Sequence, residues 1–228
     1  MNIDNNLNAI RTIAEALSDM NLRVAYVGGA VVSLYVNDPA ADDVRETDDV
    51  DIILEIASLV ELENIRKLLT KRGFTQSTAD KVTCRFHFEG IVVDVMSTRD
   101  MGWAPGNLWF NKGFVFLEQR RIDESKIIIL PLAYFLATKF TAYHNRGRQD
   151  PRTSHDFEDI TYILDNRTDL VEEINNSPGD VQKYLHEEFQ SIIDSKLMQE
   201  AILGNLPHQI QTERFKMIMD KLHRITAS

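Results

Sequence analysis

RETDDVDIIL, residues 45–54, sets two carboxylates, Asp49 and Asp51, into a run otherwise built to be packed. Val50, Ile52, Ile53 and Leu54 are apolar, and most are of the branched kind that strands favour. In a strand, residues i and i+2 point to one face, with Cα atoms roughly 6.5–7 Å apart. Asp49 and Asp51 therefore share a face, and Val50 and Ile52 share the opposite, core-facing one. Like charges at that spacing repel, and each pays a desolvation cost in a half-buried sheet. Either this strand end is open to water, or the pair holds a divalent cation.

A third acid favours the cation. Asp94 lies mid-strand in IVVDVMS (91–97), between Val92, Val93 and Val95, where a charge is otherwise unwelcome. If this strand lies beside 49–54, all three carboxylates face one space. Mg²⁺ is typically held by one or two carboxylates plus substrate phosphates. Three acids on adjacent strands suffice for two ions roughly 3.5–4 Å apart, the arrangement that assists in-line displacement at phosphorus.

Working outward, Leu7, Ile10, Ile13, Ala14 and Leu17 fall on one face of a helix over 5–19, with Asp4 or Asn5 as N-cap. LRVAYV (22–27) reads as a strand, and 30–36 as a helix, with Gly28-Gly29 between them. A glycine pair there lets the backbone turn sharply and approach a ligand, and amides at a helix start can receive phosphate. An ordinary strand-to-helix turn explains the pair equally well. The pair belongs to neither a Walker A loop nor a G-x-G-x-x-G motif. NDPAADDVRET (37–47) is a polar loop or a lid. A helix over 59–72 ends at Gly73 as C′ residue. KVTCRFHF (81–88) alternates, with Val82, Cys84, Phe86 and Phe88 on one face and Thr83, Arg85 and His87 on the other. With the turn Glu89-Gly90 and strand 91–97 it makes a hairpin. FVFLEQRRI (114–122) and KIIILP (126–131) form a further strand pair.

Beyond Pro131 the pattern turns helical, over 132–144, 153–167 with Ser154 as cap, 178–202 and 208–225. The expected architecture is α+β, a mixed sheet flanked by helices over residues 1–130, followed by a helical domain over 131–228.

The 228 residues carry a net charge of −10, which argues against broad phosphate-backbone binding. KFTAYHNRGRQDPR (139–152) is locally basic, through Lys139, Arg146, Arg148 and Arg152. It is either a solvated helix end or a groove for an anionic partner. The longest apolar runs fall short of the roughly 20 residues of a membrane span, and no signal peptide is evident. Cys84 is the only cysteine, so the expected compartment is a reducing cytoplasm. The six histidines show no zinc spacing. Trp103 and Trp109 either pack or stack on a base.

Strand, Gly28-Gly29, helix, loop, R-x-T-x-D-V-D at 45–51, helix and a later strand Asp94 form an ordered set. It resembles the nucleotidyltransferases of the DNA polymerase β superfamily. The resemblance implies that Gly28 and Gly29 hold a nucleoside triphosphate and that Asp49, Asp51 and Asp94 bind two Mg²⁺. Residues 130–164 look like AbiEii-type nucleotidyltransferases, many of which are toxins paired with an antitoxin. The matching features are Pro131, Ala137–Lys139, Arg146 and Arg148, and Asp156–Asp159–Ile160. By this resemblance Lys139 contacts nucleotide phosphates and takes part in catalysis, and Asp156 helps shape the nucleotide site. The implied activity is transfer of a nucleoside monophosphate from an NTP to a hydroxyl, either an RNA 3′ end or another macromolecule. A small-molecule adenylyltransferase of the antibiotic type and a degenerate nucleotide-binding protein are the alternatives. Two departures stand out. The loop between Gly29 and Asp49 is long, and His155 replaces a lysine that often precedes the helix acid. Arg45 is either a counter-charge to the acids or a phosphate ligand. Residues 165–228 match nothing named.

Overall fold

The computed structural model describes residues 2–18, 20, 22–146 and 150–227. Its first compact unit comprises residues 1–34 and 43–131, and its second residues 35–42 and 132–228.

The first unit is a six-stranded mixed sheet flanked by helices. Its strands are β1 (Val24–Val27), β2 (Asp49–Leu54), β3 (Arg85–Phe88), β4 (Ile91–Ser97), β5 (Glu118–Ile122) and β6 (Ser125–Ile129), in the spatial order β3-β4-β2-β1-β6-β5. All four residues of β1 are buried, as befits a central strand. β2 runs antiparallel to β1 and parallel to β4. Along β2, Val50 and Ile52 are buried while Asp49 and Asp51 are half-buried, the alternation that the period of two demands. Glu89 and Gly90, both at positive φ, close the β3–β4 hairpin. Residues 81–84, read as part of that alternating strand, lie outside it, and Val82 is exposed.

Helix α1 (Asn2–Leu17) buries Asn6, Ile10, Ile13 and Leu17 at helical spacing. It starts earlier than the Asp4 or Asn5 cap expected from sequence. Its first amides, of Asn2 and Ile3, instead donate to the Asp43 carboxylate at 2.8 and 2.9 Å. A cap from a distant loop leaves no local signal. Helix α2 (Leu59–Lys71) starts at Ser58, whose Oγ accepts from the Glu61 amide, and stops at Gly73 with φ +91°. The helix expected over 30–36 is a 3₁₀ helix over Gly29–Tyr35. Helix α3 (Leu108–Gly113) buries Trp109, and half-buried Trp103 donates to Glu63 and meets the Phe86 ring edge-on. Both tryptophans thus pack within this unit.

The second unit is helical: α4 (Leu132–Asn145), α5 (His155–Asn166), α6 (Leu170–Asn175), α7 (Gly179–Asp194), α8 (Lys196–Gly204) and α9 (Gln211–Thr226). The stretch 178–202 divides at Ser195, whose Oγ caps α8 through the Met198 amide. Ser154 caps α5 through the Phe157 amide, as read from sequence. The segment 35–42 is built into this unit. Tyr35 stacks on Phe135 with centroids 4.2 Å apart, and the Asn37 and Asp38 amides donate to the Asn166 carbonyl. Lys221 of α9 is buried, and its Nζ donates to the carbonyls of Leu164, Asp165 and Arg167, which end α5. Among the described residues, no helix is long and apolar enough to cross a membrane.

Candidate active site

A single rung of the sheet builds the site. Arg85 on β3 is opposite Asp94 on β4, Asp94 is opposite Asp51 on β2, and Asp51 is opposite Val27 on β1. Register partners project from the same face. Asp49, two residues before Asp51, joins that face. Carboxylate oxygens of Asp49, Asp51 and Asp94 lie within 4.8 Å of one another, and all three residues are half-buried and reachable from solvent. The core side of the same strands carries Val50, Ile52, Val93 and Val95, all essentially inaccessible. That packing fixes the register and so holds the acids together.

The glycine pair follows directly from this rung. Val27 is the last residue of β1 and the partner of Asp51, so Gly28 turns the chain beside the Asp51 carboxylate. Gly28 has φ +77°, and a Cβ there would collide with that carboxylate. At Gly29 a Cβ would fall 2.5 Å from the Arg45 guanidinium and from the Thr47 methyl. Each glycine therefore leaves room for a particular side chain of the 45–51 segment. That segment is anchored from α1. The buried Asn6 side chain donates to the Arg45 carbonyl at 3.0 Å and accepts from the Thr47 amide at 3.1 Å.

Arg85 is the component that motif reading missed. Its Nε and Nη2 each donate at 2.8 Å to one oxygen of Asp94, and Nη2 reaches Asp49 at 3.4 Å. Its guanidinium is held firmly in the charged form by the hydrogen bonds to Asp94. Burial first, and the Asp94 charge second, push the Asp49 carboxyl above its ordinary value, while Arg85 and Arg45 pull it back. Neighbouring Cys84 responds to the same field. Its thiol is pushed up to about 11 by burial and then by the charges of Asp94 and Asp51.

Hard, clustered carboxylate oxygens with a net excess of negative charge suit Mg²⁺ or Mn²⁺ in donor type and number. In the second unit, Lys139 is buried and paired with Asp159 at 2.6 Å and Asp156 at 3.4 Å. The other Asp156 oxygen receives Arg146 at 2.9 Å, and the Arg146 side chain is mostly exposed. Exposed His155 pairs instead with Glu158 of its own helix. Arg152 pairs with Asp150. Arg148 lies outside the described residues.

The architecture recurs in solved structures, among them the following two. An antigenic nucleotidyltransferase-like protein from Paracoccidioides brasiliensis matches with a TM-score of 0.51 at 17% identity, over 87% of this chain and 92% of its own. The antibiotic-resistance factor ANT(2'')-Ia, known from a solution structure, matches with a TM-score of 0.51 at 14% identity, over 85% of this chain and 97% of its own. The fold is the nucleotidyltransferase fold. No protein-family model and no curated protein sequence matches the chain. In the nucleotidyltransferase fold adopted here, the acidic rung and the glycine turn stand at the junction of β1, β2 and β4.

Proposed function

We propose that this protein is a Mg²⁺-dependent nucleotidyltransferase that moves a nucleoside monophosphate from an NTP to a hydroxyl acceptor. The observation that carries the reading is the convergence of Asp49, Asp51 and Asp94 on one face, beside a glycine turn that abuts Asp51. Two divalent ions, when bound by these carboxylates, would neutralise triphosphate charge and favour the ionised acceptor.

The chain's own groups supply the rest. Gly28 and Gly29 leave the backbone bare of side chains beside Asp51 and Arg45, and by the resemblance they would hold the triphosphate. The acceptor hydroxyl oxygen bonds to the α-phosphorus as the bond to the β-phosphate bridging oxygen breaks, and pyrophosphate leaves. Asp94 takes the acceptor proton. By the resemblance Lys139 and Asp156 would serve the nucleotide, and Asp156 accepts from both Lys139 and Arg146. Catalysis of this kind is positioning plus charge neutralisation.

The preferred acceptor is an RNA 3′ end or another macromolecular hydroxyl, with Arg146 and Arg152 as backbone ligands. The resemblance of residues 130–164 to AbiEii-type enzymes supports this acceptor, and with it a toxin role checked by a partner antitoxin. The fold shared with an antibiotic-resistance factor supports a second reading, a small-molecule acceptor. Incubation with each α-labelled NTP and Mg²⁺, against total RNA in one series and an antibiotic panel in another, separates the two. Label in RNA supports the first, and label in a drug the second. No transfer to either, with NTP binding retained, would mark a degenerate binder.

A further inference from the structure

Arg85 does more than balance charge. Its two donors take both oxygens of Asp94, one each at 2.8 Å, so a fixed positive charge lies against the whole carboxylate. The contact is fork-to-fork, the strongest geometry available to an arginine and a carboxylate. It is also shielded: the Asp94 side chain is 14% exposed and that of Arg85 28%. Asp49 is treated differently. It receives only the long 3.4 Å contact from Arg85, and its side chain is 34% exposed. Arg85 thus clamps Asp94 to the outermost strand β3 more tightly than it holds Asp49.

We infer that Arg85 is a positioning residue that holds Asp94 and competes with the divalent cation for it. The inference rests on the metal-binding reading of the acidic rung. Arginine and metal both seek the same oxygens, and two cations sharing one carboxylate repel. The Arg85 charge therefore weakens cation binding at Asp94. An Asp94 oxygen is also what the proton transfer from an acceptor needs, so Arg85 bears on both roles of the carboxylate.

A purely structural arginine and a competing one give different results when the charge is removed. A structural role predicts that Arg85→Gln loosens the acidic rung and weakens metal binding. Competition predicts that it strengthens binding. Mn²⁺ is titrated into the full chain without nucleotide, and bound and free ion are followed by electron paramagnetic resonance. The expected result is roughly tenfold tighter Mn²⁺ binding by Arg85→Gln, with a correspondingly larger Mn²⁺-induced rise in Tm. In an Asp94→Asn background the same substitution leaves affinity unchanged, because the contested ligand is gone. Arg85→Lys keeps the charge but not the fork, and binds Mn²⁺ more tightly than the unaltered protein by a smaller factor. It carries the test if Arg85→Gln does not fold. Affinity equal to or weaker than that of the unaltered protein overturns the proposal. So does an Arg85→Gln effect that persists in Asp94→Asn. If the unaltered protein binds no Mn²⁺, or Asp49→Asn leaves its binding intact, the metal reading itself falls and this one with it.

Discussion

Asp51 and Asp94 are direct register partners on parallel strands, so their carboxylates leave one face of the sheet at the same level. Replacing either by asparagine keeps size and shape and removes a charged ligand. Asp51→Asn and Asp94→Asn are each expected to lower NMP transfer by roughly 100-fold or more. Circular dichroism should be unchanged, since Val50, Ile52, Val93 and Val95 still hold the register. Rates measured at saturating Mg²⁺-NTP check this.

The raised Asp49 carboxyl has a consequence for pH. Its native form binds a proton more tightly than the unfolded chain does, chiefly because of burial. Stability from this group is therefore greatest at low pH and declines as pH rises from the ordinary carboxylate value through the raised one. Without metal, Tm is expected to fall across that window relative to Asp49→Asn. With saturating Mg²⁺ the difference disappears. Melting curves between pH 4 and 7, with chelator or with metal, decide it.

Gly28 cannot accept a side chain. Gly28→Ala would strain a residue at φ +77° and press a methyl into the Asp51 carboxylate. A loss of about 1–3 kcal/mol in stability is expected, together with weakened Mg²⁺ binding as Asp51 is displaced. Denaturant unfolding and a metal titration on the same variant test both parts.

Asn6 ties α1 to the backbone at Arg45 and Thr47. Asn6→Ala leaves a half-buried carbonyl and amide without those partners, at a cost of about 1–2 kcal/mol. Because Arg45 lies against Gly29, the variant should also bind NTP more weakly. Asn6→Asp restores the acceptor for Thr47 but not the donor for Arg45, so it should fall between. Nucleotide titration of the two variants measures the order.

Lys221 ends α5 by donating to three carbonyls, and burial lowers its pKa to about 8. The unfolded chain then holds more protons than the native one from about pH 8 to the ordinary lysine value. Its contribution to stability consequently rises with pH across that interval. Lys221→Met should destabilise by about 2–4 kcal/mol. The gap to the unaltered protein should widen between pH 8 and 10, as read from urea midpoints.

Much of this site was legible because its signals are local and periodic. The alternation in 45–54 located Asp49 and Asp51, and the apolar context of Asp94 marked it as costly. The pairing of β2 with β4 then followed as a condition, which the register meets. Arg85 was within reach as well. Once Glu89-Gly90 is read as a two-residue turn, counting three residues back from Phe88 and three on from Ile91 sets Arg85 opposite Asp94. The α1 cap was not legible, because Asp43 is distant in sequence and lies in a loop of generic polarity. Nor was the tie between Lys221 and the end of α5, since a lysine within a helical pattern reads as solvated. The 3₁₀ conformation of 29–35 eluded the pattern for another reason. Short apolar runs do not distinguish helix types.

The segment 35–42 separates the order of the gene from the order of the fold. The backbone passes between the two units at Leu34–Tyr35, at Asp42–Asp43 and again at Pro131–Leu132. A fragment cut at residue 131 would strip the helices of the Tyr35 ring on Phe135 and of Asp38 beside Arg214. Neither half is then a portable cassette. Fusion or shuffling of this enzyme-like chain has to move it whole, or graft those eight residues along with the helices.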